Sequence, residues 1–333
     1  MLTPKRVTFF ILIITLLISC NSPQQQAETG NLLSPTEKSN AEKAAQTLHF
    51  VVITHKNDGT FWSVVGKGIN QAAQDTGVTV EFLAPEEKNM QVMAQLIDEA
   101  VVAKPDGLVV SIPNPEVLTP SIKAAIDAGI PVISTNSGYE VATSLGVLTH
   151  VGQLEYQAGY GSGKQLVLSG IKNGICINHN EENQGLRIRC KGFTEALERG
   201  GGTAKTVIVD PDLADMEERI LAAVNAHPSL VGILTLGSKS ASSALTIVKE
   251  AGLLDKKVKL ATFDISPDVL ISIKEGELIF AVDQQQYLQG YIPIVLLKLY
   301  NDNANTPVSK IWTTGPRFVT SSDVDYLLDN FND

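Results

Sequence analysis

The sequence predicts an α/β protein built on parallel sheets, and three observations carry that expectation. From residue 48 onward, short β-branched runs alternate with longer amphipathic segments. The runs are apolar almost without interruption, as strands are when helices cover both faces of a parallel sheet. The series also needs too many strands for one ordinary sheet, and a break near residues 148–152 (LTHVG) divides it into two similar halves.

Taken in order, residues 48–54 (LHFVVIT) read as a strand. Residues 61–76 follow as a helix, with Val64, Val65, Ile69, Ala72 and Ala73 on one face. Strands are then expected at 78–83, 107–112 and 131–135, separated by helices at 90–103 and 115–128. After the break the alternation restarts with a helix at 153–169, a strand at 175–178 and a helix at 185–199. Strands at 205–210, 231–235 and 258–263 come next, divided by helices at 216–226 and 240–251. A last strand at 279–283 leads into a helix that runs through Tyr300. Each half would present its loops at the carboxyl ends of its strands, where open α/β sheets bind ligands, and two halves face to face make a cleft.

Composition narrows the function classes. The 333 residues suffice for two domains, and 44% hydrophobic with 19% charged residues is a globular mixture. The net charge of −10, with no basic stripe, gives a nucleic-acid partner no electrostatic footprint. No cofactor or metal motif stands out. The five His lack ligand spacing, and no HExxH or Cys-x-x-Cys pair occurs. Gly159 to Lys164 looks like a phosphate loop, but Ala158 stands at the first Gly, Gln165 at the Ser/Thr, and no strand precedes it.

The N-terminus reads as an export signal. Lys5 and Arg6 precede an apolar run of residues 7–18, too short and too early for a membrane span. The run ends in Leu17-Ile18-Ser19-Cys20, which resembles the bacterial lipobox, so residues 1–19 are expected to be removed and Cys20 to receive lipid. Residues 20–47 are polar and without periodicity, a flexible tether. Membrane association is therefore expected through the anchor alone, in the periplasm or at the cell surface. In such an oxidising compartment Cys176 and Cys190 form an even pair, and both a disulfide and two buried thiols fit the sequence.

Several motifs, in order, resemble the type I periplasmic sugar-binding proteins, the ribose/galactose-type receptors of ABC importers. They are Asp58-Gly59-Thr60-Phe61-Trp62, Pro105-Asp106-Gly107-Leu108-Val109 and Ala128-Gly129-Ile130-Pro131-Val132, then Arg189-x-x-Gly192-Phe193, Thr262-Phe263-Asp264 and Asp283-Gln284. The resemblance spans about residues 48 to 318 and implies two lobes joined by three crossover strands, near 149–151, 262–264 and 282–284. The first lobe would hold 48–149 and 263–283, the second 150–262 and 284–333. Hinges of this type let lobes close on a ligand. Repressors that share the two-lobed core carry an N-terminal DNA-binding segment, where this chain has its signal and tether.

A neutral sugar needs aromatic planes for its CH faces and fixed polar groups for its hydroxyls. Phe61 and Trp62, just after the first strand, match the family positions whose rings stack on sugar. Asn136 matches the polar residue at the end of its strand, where most ribose-type relatives are acidic. Arg189 matches the arginine before Gly-Phe, and its fork can donate to neighbouring hydroxyls; Arg187 reads as a surface residue. The resemblance puts Asp264 and Gln284 at crossovers, with Asp264 pairing to Arg189 across the closed cleft. Ser111 is a further lining residue and Met216 an apolar wall. Where ribose-type relatives have Asn-Asp, this chain has Gly237 and Ser238, which argues against ribose itself.

These features imply a binding protein that delivers a monosaccharide, deoxy sugar or polyol to an ABC transporter permease. The alternative is a ligand-sensing subunit for a chemoreceptor or sensor kinase, which would use the same residues. A sugar-cleaving enzyme would need paired carboxylates at the cleft, and Asp264 is the one well-placed acid.

Overall fold

The computed structural model describes residues 47–331 apart from 58, 88, 210–212, 228 and 255. The export signal and Cys20 lie outside the described residues. So does most of the tether.

Two six-stranded sheets organise the described chain. The first contains β1 (His49–Ile53), β2 (Thr79–Leu83), β3 (Gly107–Val110), β4 (Val132–Thr135), β5 (His150–Gln153) and β11 (Ile311–Gly315), in the order β11-β5-β4-β3-β1-β2. The second contains β6 (Asn173–Asn178), β7 (Thr203–Ile208), β8 (Val231–Thr235), β9 (Val258–Phe263), β10 (Leu278–Asp283) and β12 (Arg317–Val319), in the order β12-β10-β9-β8-β6-β7. All neighbours are parallel except β12, which runs antiparallel to β10.

Helices cover both faces of each sheet, which is why β1, β3, β4 and β8 are buried along almost their whole length. In the first lobe, one face packs on α1 (Gly59–Thr76) and the other on α2 (Met90–Ala103), α3 (Pro115–Asp127) and the short α4 (Tyr139–Leu145). In the second, α5 (Glu155–Leu168) and α6 (Gln184–Arg199) cover one face. The opposite face carries α7 (Leu213–Asn225), α8 (Ser238–Glu250), α9 (Pro267–Lys274) and α11 (Val324–Phe331). Helix α10 (Gln286–Asn303) returns to pack on α1, and Ile294 and Leu297 join the first-lobe core. No helix among the described residues is long and apolar enough to cross a membrane.

Local chemistry sets the helix starts. The side chains of Asn89, Asn114, Asn183 and Ser266 each accept from backbone N–H groups of the first turn, a cap worth ~1 kcal/mol. Pro115 and Pro267 occupy the first turn, where a missing N–H costs nothing.

The division into lobes differs from the expectation. Strands β9 and β10 are hydrogen-bonded neighbours, with Ala281 opposite Thr262, so residues 263–283 stay in the second lobe with α9. Residues 286–315 belong to the first lobe instead, and 317–331 to the second. The chain crosses between lobes after Gln153, after Asp283 and at Gly315–Arg317; no crossover occurs at 262–264. Apolar runs report that a strand is buried, not which sheet it joins.

The small residues of α5 serve helix packing. A Cβ on Gly159 would stand 2.0 Å from the Arg189 carbonyl oxygen, and one on Gly192 of α6 would stand 2.3 Å from that of Tyr156. The backbones of α5 and α6 thus touch, where the sequence suggested close packing of a helix on a sheet.

Candidate functional site

The carboxyl ends of β6, β8, β9 and β10 carry the polar groups of the second lobe. Arg189, on the second turn of α6, is buried to 4% exposure among them. Its Nε donates to Glu155 Oε2 at 2.5 Å and its Nη2 to Glu155 Oε1 at 3.0 Å. Nη2 also donates to Gln284 Oε1 at 2.9 Å, and the guanidinium lies 4.5 Å over the Phe263 ring. Gln284 Nε2 in turn donates to Asp264 Oδ1. Arg189, Gln284 and Asp264 therefore form one hydrogen-bonded chain.

The expected Arg189–Asp264 ion pair is replaced by Arg189–Glu155. Both Arg189 and Asp264 belong to the second lobe, so a pairing across the cleft is not available to them. Among the described residues, the carboxylate within ion-pair distance of Arg189 is that of Glu155. Burial would lower the arginine's pKa, but the charge and hydrogen bonds of Glu155 outweigh it and hold the pKa above its ordinary value. Asp264 is half-buried and sits at φ 68°, a left-handed conformation that Asp tolerates better than most residues. Burial pushes its carboxyl up to about 6, opposed by Arg189 and by the Gln284 amide.

In the first lobe, the ends of β1, β3 and β4 lie side by side. Ser111 Oγ accepts from the His55 backbone N–H at 3.1 Å and lies 3.0 Å from His55 Nδ1. The His55 ring meets Trp62 edge-on at 5.0 Å, and Trp62 meets Phe61 edge-on at 5.0 Å. Trp62 is buried in the first-lobe core and Phe61 is half-buried and packed against it, so both rings contribute to packing. Asn136 is buried at φ 64°; its Nδ2 donates to Gln289 Oε1 at 3.1 Å, and its Oδ1 accepts from Ser137. Gln289 Nε2 donates to the Gln284 carbonyl at 3.0 Å and to Thr314 Oγ1 at 3.2 Å. Asn136 is thereby linked to the crossovers and to Gln284.

The structure does not bring Met216 into this group. It packs into the second-lobe core with Val207, Val209 and Ile220. Arg187 donates to the Glu181 carbonyl on an exposed turn, consistent with its reading as a surface residue. Gly237 is extended, at φ 177°, and a Cβ there would meet Asp264 Oδ2 and His179 Cε1 at 3.6 Å each. Gly237 therefore stands beside Asp264 and His179, whose Nδ1 lies 3.2 Å from Ser240 Oγ. The lobes touch where the Gln184 backbone N–H donates to the Pro113 carbonyl at 2.9 Å, and a shallow cavity there is lined by Asn114, Pro115, Glu116, Glu182, Gln184 and Arg187.

Sequence reasoning missed Glu155, Gln289, His55 and His179. Glu155 opens α5, where an acid is ordinarily read as complementing the helix dipole, and that ordinary reading hides its pairing role. Cys176 on β6 and Cys190 on α6 are joined by a disulfide, which fastens the turn of α6 next to Arg189 to the sheet.

Two parallel-sheet lobes, crossed three times by the chain and carrying polar groups at facing strand ends, define a type I periplasmic binding protein. Residues 50–304 match the model of the periplasmic binding protein domain family, and the chain belongs to that family, one of solute-binding proteins rather than enzymes. It is similar to the solved structure of a carbohydrate transporter from Acidothermus cellulolyticus in complex with myo-inositol. That likeness has 34% identity and a TM-score of 0.79, over 86% of this chain and 98% of that one. The xylose/arabinose-binding protein of Sulfolobus acidocaldarius is 25% identical over 299 residues, 85% of this chain and 73% of that protein. A glucose-galactose binding protein from Geobacillus stearothermophilus shares the fold, with a TM-score of 0.74 at 22% identity over 84% of this chain and 99% of that one.

Proposed function

We propose that this protein captures a small neutral sugar or polyol between its lobes, outside the cytoplasm, and delivers it to an ABC importer. Lipid on Cys20 holds it at the membrane, and no cofactor takes part. The observation that carries this reading is the Arg189–Gln284–Asp264 chain at the strand ends. It is polar and directional, and the charge of Arg189 is already met by Glu155. Such a site has little attraction left for an anionic solute and offers donors and acceptors suited to hydroxyls. Asp264 and Gln284 would hold hydroxyls from the second lobe, and Asn136 and Ser111 from the first, with Phe61 and Trp62 supplying apolar faces. The xylose/arabinose-binding and myo-inositol-bound relatives support the same ligand class.

A thermal-shift screen of pentoses, hexoses, deoxy sugars and polyols tests the proposal, followed by calorimetry on each ligand found. A ligand present at one hundred times its Kd stabilises the fold by about 2.7 kcal/mol, a readable shift. Asp264→Ala should weaken that ligand at least thirtyfold. A panel in which only charged solutes stabilise the protein would refute the reading.

A further inference from the structure

We propose that Glu155 is a positioning residue for ligand binding: by engaging Arg189 on two nitrogens it keeps the guanidinium off Asp264 and leaves that carboxylate for ligand hydroxyls. The inference rests on the reading of the site given above. A carboxylate gripped by an arginine fork has one lone pair on each oxygen engaged, which leaves fewer and more constrained acceptor sites for ligand hydroxyls. Here the fork goes elsewhere. Nε and Nη2 of Arg189 lie 2.5 and 3.0 Å from the two Glu155 oxygens, while Asp264 accepts from the neutral amide of Gln284.

The position of Glu155 suits the task. Its side chain is 1% exposed, so its charge must be met inside the protein, and Arg189 meets it. Gln153 Nε2, on the last residue of β5, donates to Glu155 Oε2 at 2.9 Å, which fixes the carboxylate from the first-lobe side of the crossover. Glu155 is also the first residue of α5, where the helix end favours negative charge. The guanidinium is held from below as well, by the face of Phe263, one residue before Asp264. Glu155 thus acts through Arg189. It decides which carboxylate Arg189 serves.

The arrangement has a signature that a merely structural residue would lack. The groups that face Asp264 are Arg189 from α6, Gln284 and Asp283 from the end of β10, Glu155 from α5, and His179 across Gly237. Burial raises the Asp264 carboxyl to about 6, Arg189 and Gln284 act to lower it, and Glu155 acts to raise it. Ligand hydroxyls donate to the ionised form, so affinity is full above that value and is lost as pH falls through it. Removing the Glu155 charge withdraws one raising influence and releases Arg189 towards Asp264. Both changes move the midpoint to lower pH.

The test uses the purified mature protein and the variants Glu155→Gln, Glu155→Asp and Asp264→Asn. The Asp264 carboxyl is titrated by carbon-13 NMR without ligand, and calorimetry follows binding of myo-inositol, D-xylose and L-arabinose from pH 4.5 to 8. We expect Glu155→Gln to lower the Asp264 midpoint and to weaken binding at pH 7.5 at least tenfold. A wild-type midpoint together with wild-type affinity overturns the proposal. If Glu155→Gln does not fold, Glu155→Asp decides: a smaller lowering with weaker binding supports the proposal, and wild-type behaviour overturns it. Failure of the underlying site reading looks different. Asp264→Asn would then bind within threefold of wild type, or none of the three probes would bind, while the ligand-free titration still judges Glu155.

Discussion

Removing the Cys176–Cys190 cross-link should destabilise the second lobe by an amount that the structure sets in advance. The two cysteines are 14 positions apart, on β6 and on the second turn of α6. The closed loop therefore holds the end of β6, the turn that carries His179 and Asn183, and Arg189 itself. In the chain-entropy account a loop of that length restrains the unfolded chain by about 3 kcal/mol. Both sulfurs are also buried, among Leu186, Phe193, Leu234 and Ala261. Replacing both cysteines by Ala leaves small gaps that cost ~1 kcal/mol more, whereas Ser would bury hydroxyls in an apolar cluster. For a lobe of this size each kcal/mol is worth about 2–4 °C in Tm, so the double Ala variant should melt roughly 8–16 °C below the oxidised wild type. Calorimetric melts with and without reductant separate the two contributions. Reductant should lower the wild-type Tm by about 6–12 °C and leave the double variant unchanged. A fully reduced wild type, with two thiols titrated, that melts with the oxidised protein would refute the reasoning.

Three further outcomes are expected. Cys20→Ser should release the protein from membranes on fractionation, and wild-type protein that is soluble and cleaved elsewhere would end the lipid-anchor proposal. His150 is fully buried, and burial lowers its pKa to about 3. The native state therefore stays unprotonated while the unfolded chain takes up a proton below about 6.5, and stability falls as pH drops from there towards 3, by about 1.4 kcal/mol per unit. Denaturant titrations of His150→Leu should show a flatter acid limb than wild type; parallel limbs would contradict the assignment. Gly159→Ala should cost about 1–3 kcal/mol or more, because its methyl would strike the Arg189 carbonyl, and it should weaken sugar binding by moving α6; wild-type melting and affinity would show that the helices separate freely.

Much of the fold is legible in the sequence because burial on both faces of a parallel sheet writes itself as apolar runs. Met90–Ala103, Val231–Thr235 and Val258–Phe263 have the boundaries read from the sequence. The unexpected elements are short or exposed. Strand β11 carries the exposed Trp312 and Thr313 at a sheet edge, so it lacks the apolar run that marks the inner strands. Helix α9 has only eight residues, although Ser266 and Pro267 announce its start. Lobe membership was lost for a different reason: β9 and β10 could pair in either sheet as far as composition goes, and only the ladder from Thr262 to Ala281 decides.

The site follows the same division between what one residue reveals and what a network reveals. Asn136, Arg189 and Asp264 each stand out in the sequence through their match to family motifs, and the structure puts Asn136 and Asp264 at strand ends in left-handed conformations. Which carboxylate Arg189 engages was not visible, because Glu155 is 34 residues away and lies on a helix that packs against α6 only in the folded chain. That contact depends on Gly159 and Gly192, whose missing side chains let two backbones meet. Gly159 and Gly163, in the stretch that resembles a phosphate loop, bring α5 against α6 and so bring Glu155 to Arg189; on the proposed reading, that pairing leaves Asp264 open to a ligand hydroxyl.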